Sequence, residues 1–137
     1  MSLDHETALA IVESIADALI YSDAQGTIRA WNAAAAAVFG FSAEEAIGQS
    51  LDLIIPERLR AAHWAGFDRA MQTGVTRLAG RATLTRGVHK SGRRLYVEMS
   101  FAVVRSASGA TLGAVAIARD VTAAQEARRV QATGAAS

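Results

Sequence analysis

The chain has 137 residues, of which 51 % are apolar and 20 % charged, with a formal net charge of +1. That length suits one domain with a real core, and that composition argues against disorder. Near neutrality and the lack of any run of roughly 18 apolar residues argue against nucleic-acid and membrane partners, and the absence of cysteine removes disulfides, thiolate zinc sites and iron–sulfur clusters.

The first residues, MSLDHETALA, carry acids where a secretory signal would carry lysines. The expectation is a soluble, cytoplasmic protein or an excised piece of a longer one. From Ala8 to Ala16 the spacing of Leu9, Val12, Ile15 and Leu19 predicts an amphipathic helix ending near Asp17. LIYSD, the turn signal AQG and then TIRAWN predict two short strands in a hairpin. Asn32 is placed to cap the run AAAAAVFG, which Gly40 closes. Ser42 with Glu45 three residues on is a capping-box signature for another short helix, closed by Gly48.

The stretch from Ile54 to Gly74 predicts the longest internal helix. Pro56 suits its first position and Gly74 its stop. Leu59, His63, Phe67, Ala70 and Met71 recur at helical spacing on one stripe, so a histidine sits within an apolar face. A buried imidazole needs a partner for at least one ring nitrogen. Three strands follow: Thr76 to Thr85, extended through Arg86–His89 with a bend at Gly87; Leu95 to Val104; and Leu112 to Arg119. In the middle strand Leu95, Val97, Met99, Phe101 and Val103 share a face. Lys90–Arg93 and Ser106–Gly109 are the turns between them. Asp120-Val121-Thr122 ends the last strand, and AAQEARRVQA predicts a helix leaving the domain. The expected division is an N-terminal helix over 1–17, the domain proper over 18–122, and a connecting helix with a frayed tail over 123–137. The fold class is α+β, a five-stranded antiparallel sheet with short helices on one face.

That element order, with the stretches DAQGTIRAWNAAAAAVFGFSAEEAIGQSL (23–51), IPERLRAAH (55–63), HKSGRRLYVEMS (89–100) and GAVAIARDVT (113–122), resembles the PAS domain family. The resemblance implies a sensory and dimerising module. Residues 55–77 are similar to the heme-binding oxygen sensors of that family, whose pattern I/M-P-x-x-x-R-x-x-H falls on Ile55, Pro56, Arg60 and His63. It implies heme b as cofactor and His63 as the ligand of its iron. By the same match Arg69 and Arg77 stand near the heme propionates, which guanidinium groups suit in charge and geometry.

Two departures concern the strand after Gly74. Thr83 stands where these sensors have an arginine, and Arg81 where they have a methionine, at the side that meets bound oxygen or the sixth iron position. Equal strand parity would turn 81 and 83 the same way, inward by the resemblance; the plainer reading of Arg81 is a solvated side chain at a bend. Met99 is implied as a cavity residue of the next strand. Ala114, Ala116 and Ala118 would face inward from the last strand, leaving room for a ligand while gripping a porphyrin less well.

No histidine–acid relay and no Gly-rich phosphate loop supports an enzyme. The light–oxygen–voltage branch of the family needs a cysteine that is absent. The expectation is a sensory domain binding heme b through His63 and responding to oxygen or redox state. The alternative is a heme-free module that binds a small organic or anionic ligand, or acts only in dimerisation. The partners implied are a second copy and an effector domain or protein such as a kinase or transcription regulator, with no direct nucleic-acid or membrane contact.

Overall fold

The computed structural model describes residues 2–76 and 80–136. In it the chain forms helix α1 (His5–Ser14), strands β1 (Ala18–Asp23) and β2 (Ile28–Trp31), and short helices α2 (Ala33–Phe39) and α3 (Ala43–Ala46). A 3-10 turn (Leu51–Ile54) leads into α4 (Glu57–Thr73), and then come β3 (Thr83–Val88), β4 (Arg94–Arg105), β5 (Thr111–Asp120) and α5 (Thr122–Ala136). The five strands make one sheet in the order β2-β1-β5-β4-β3. Every neighbouring pair is antiparallel. This is the expected α+β arrangement.

Local chemistry explains most boundaries. Asn32 caps α2 by accepting from the Ala35 N–H at 2.9 Å, and Gly40 ends it at φ 82°, in the left-handed region. Ser42 and Glu45 form the full capping box of α3. Gly74 closes α4 at φ 76°, where a Cβ would be strained. Pro56 lies just before α4 as its cap residue, one position earlier than expected.

Two elements differ from expectation. Helix α1 runs from His5 to Ser14, starting three residues early because Asp4 caps it, accepting from the Thr7 N–H at 2.7 Å. The backbone is extended at Ile15, so Leu19 leaves the helical stripe and belongs to β1. Strand β3 begins at Thr83 rather than Thr76. Its ladder with β4 starts at the pair Thr83–Met99, and Gly80, at φ 80°, turns the chain just before it. Positions 77–79 of the expected strand lie outside the described residues.

Alternation builds the core. Ile20 of β1, Leu95, Val97 and Met99 of β4 and Ala118 of β5 are buried on the inner face of the sheet, against Ala35 and Phe39 of α2 and Ile54. Asn32 ties the elements of this end together. Its Oδ1 also accepts from the Leu19 N–H at 2.9 Å, while its Nδ2 donates to the carbonyls of Val12 at 3.0 Å and Asp17 at 3.1 Å. At the exit, Thr122 Oγ1 donates to Asp120 at 2.6 Å and accepts from the Tyr96 N–H at 2.9 Å, joining α5 to β4.

Candidate functional site

Away from Asn32, between α4 and the sheet, the core is hollow. The cavity measures about 540 Å³, within the range of roughly 300–1,000 Å³ typical of small-molecule sites. Helix α4 gives it Leu59, Ala62, His63, Gly66, Phe67 and Ala70, the i, i+3, i+4 stripe of an amphipathic helix. Strand β3 gives Thr83, Thr85 and Gly87 by alternation, and β4 gives Met99 and Phe101. The floor is Ala114 and Ala116 of β5, whose small side chains leave the space open.

His63 is the titratable residue of this helical stripe. Its Nδ1 is buried and has no hydrogen-bond partner among the described residues. The ring packs edge-on to Trp64, with centroids 4.7 Å apart, and lies 6.0 Å from Phe67. Burial lowers its pKa below the ordinary 6.5, outweighing the carboxylates of Asp52 and Asp68, which pull it upward. The imidazole is therefore neutral at neutral pH, the state in which it serves as a metal ligand. A second buried polar atom, Oγ of Ser22 on β1, is also unpartnered among the described residues, and Ser22 lines the same cavity.

The structure gathers His63, Thr83, Met99 and Ala116 around the cavity. Ala118 is 1 % exposed in the packed core, one inward position past the lining, between Ala18 and Met99 on the neighbouring strands. Arg69 is exposed on α4 and outside the lining, because it lies away from the His63 stripe. Arg81 precedes β3, so strand parity does not govern it, and it too is exposed and outside the lining. Arg77 falls outside the described residues. Sequence reasoning missed Ser22 and Thr85 as lining residues. The alternation of β1 carried the signal for Ser22, since Ala18, Ile20 and Ser22 share a face.

For heme, the residues present fit in two respects: a neutral histidine stands on an apolar wall, and alanines keep the facing floor low. Of the two expected propionate partners, Arg69 does not border the space and Arg77 lies outside the described residues; Arg81, expected on the side of the sixth iron position, does not border it either.

Comparison with known proteins agrees with this architecture. Over 96 residues, 70 % of this chain and 19 % of the relative, the sequence is 30 % identical to the sensor protein FixL of Bradyrhizobium diazoefficiens. The chain thus spans about a fifth of that relative's length. The crystal structure of a PAS domain from Colwellia psychrerythraea superposes with a TM-score of 0.74 at 23 % identity, covering 85 % of this chain and 96 % of that one. The PAS domain, in complex with ethanol, of a LuxR-family transcriptional regulator from Burkholderia thailandensis gives 0.63 at 16 % identity, covering 87 % and 98 %. The family model described as the PAS fold matches residues 12–126, from the end of α1 through the cavity to the start of α5, and the chain therefore belongs to the PAS family of sensory domains.

Proposed function

We propose that this domain senses oxygen or redox state through heme b held in the α4 cavity by His63. The observation that carries the reading is the neutral, half-buried imidazole on the cavity wall with Nδ1 unpartnered. Since Nδ1 is sealed by its surroundings, Nε2 is the nitrogen left for a ligand. Heme would supply an iron centre able to take a diatomic gas or change oxidation state. Around it, Phe67, Met99 and Phe101 keep water out, and the hydroxyl of Thr83 offers a hydrogen bond on the strand side. The signal leaves through the Asp120–Thr122–Tyr96 junction into α5. Its receiver is an effector such as a kinase or transcription regulator, in a dimer that uses the exposed Leu9 and Ile11 of α1.

The test is titration of the purified domain with hemin, followed by absorbance in the Soret region. Wild type, His5→Ala and His89→Ala bind one equivalent, and His63→Ala binds none. Full stoichiometry in His63→Ala overturns the assignment, as does a wild-type protein that stays colourless. Ser22 favours a second reading, a small organic ligand without heme, because its orphaned Oγ lies on a wall the iron ligand does not need. The ethanol complex of the Burkholderia domain is a precedent for such a small ligand. A colourless protein that releases a stoichiometric organic compound on denaturation, read by mass spectrometry, supports it.

A further inference from the structure

A second hollow, also about 540 Å³, lies between the start of α4 and the β3–β4 hairpin. Thr83, Thr85 and Gly87 of β3 line the first cavity, while Arg86 and Val88 line this one. Alternation therefore sets the two spaces on either side of one strand, with Arg86 bordering both. Three arginines line it from separate segments: Arg58 of α4, Arg86 of β3 and Arg94 of β4. Among the described residues that line it Glu57 is the one carboxylate, so this lining carries three positive charges to one negative, an excess of two.

The arginines are not spent on other partners. Arg29, Arg60 and Arg119 each stand beside an aspartate, but Arg58 and Arg94 are exposed and make no ion pair or side-chain hydrogen bond with the described residues. Arg86 lies 4.0 Å over the ring of Tyr96, an arrangement that leaves its N–H edge able to donate. Pro56 caps α4 without a side-chain hydrogen bond, so the first N–H groups of the helix also point positive charge toward this end.

The geometry points to a binding site for a small polyvalent oxyanion, held by Arg58, Arg86 and Arg94, separate from the His63 cavity. Carboxylate and phosphate groups each present two oxygens that a guanidinium takes with paired N–H groups, and both are arms of the test. An anion drawn onto Arg86 bears on β3, the wall common to both hollows.

Isothermal titration calorimetry at low ionic strength, with sodium pyrophosphate in one arm and citrate in the other, tests this on the whole chain. Saturable one-to-one binding of either anion is expected, and the arm that binds names the chemistry. Arg58→Gln and Arg94→Gln should each weaken it ~10-fold and the double variant ~100-fold, the loss of charge-assisted bonds worth about 1.4 kcal/mol each. Glu57→Gln should tighten it. Arg128→Gln, an exposed arginine on α5, should change nothing. The site is overturned if neither anion saturates, if both arginine variants bind like wild type, or if Arg128→Gln weakens binding as much as they do.

Discussion

Asn32 and His63 are both polar side chains set among apolar neighbours, and the fold treats them in opposite ways. Asn32 is 1 % exposed and has every polar atom engaged, capping α2 and tying β1 to the segment before it. His63 has a buried nitrogen with no partner, and Ser22 across the cavity is in the same condition. Buried polar groups are nearly always satisfied, because each unmade bond costs about 1–3 kcal/mol. The Asn32 end is finished as a protein interior; the His63 end leaves polar atoms unsatisfied beside an open space.

The largest effect that would sharpen this contrast is at Asn32. Asn32→Ala leaves the N–H groups of Leu19 and Ala35 and several carbonyls without partners, and should cost about 3–5 kcal/mol by urea denaturation. A loss under about 1 kcal/mol would break the comparison at its packed side.

A paired substitution of intermediate size follows. Ala35 is fully buried in α2, whereas Ala116 floors the cavity opposite α4. Ala35→Leu overpacks a closed interior and should cost about 2–3 kcal/mol. Ala116→Leu grows into open space, so stability should stay within about 1 kcal/mol of wild type while ligand uptake falls. Equal costs at the two sites would mean that the hollow is not available volume.

The smallest effect is a pH dependence. Burial holds the pKa of His63 below its ordinary value, so protonation favours the unfolded chain. This share of stability is fully present above the unfolded-state pKa of about 6.5 and is lost as pH falls through the folded value. The ligand-free His63→Leu domain should therefore lose less stability than wild type between neutral and mildly acidic pH, read as the shift in denaturation midpoint. Parallel profiles would show that the imidazole is solvated after all.

The packed end could be read from sequence because its signals are local: Asn32 before a run of alanines, Ser42 three residues from Glu45, and Gly40 and Gly74 after helices. The His63 stripe was readable for the same reason, since a helical period needs one element only. What the sequence did not show depends on pairing. β3 starts at the pair Thr83–Met99 although β4 runs on to Arg105, because the chain turns at Gly80 before it can extend the ladder. That start decides whether Arg81 has a strand parity at all. Likewise Arg69 follows a motif in spacing, but its direction depends on which face of α4 meets the sheet. The three-arginine hollow joins positions 58, 86 and 94, and no local pattern links them.

The chain has two tryptophans, and the fold places one at each end. Trp31 is buried in the packed region, its indole N–H donating to the carbonyl of Phe41 at 2.9 Å. Trp64 touches His63 and Phe67 by its edges and donates to Asp52 at 2.8 Å. The molecule thus carries two natural fluorophores, one reporting on the finished interior and the other packed against His63 and Phe67, which line the hollow. With Trp31→Phe, the remaining emission comes from a ring in contact with the residue that a bound cofactor would engage. A porphyrin there would quench it by energy transfer, and a colourless ligand would shift it without quenching, so one spectrum of that variant distinguishes the two occupants.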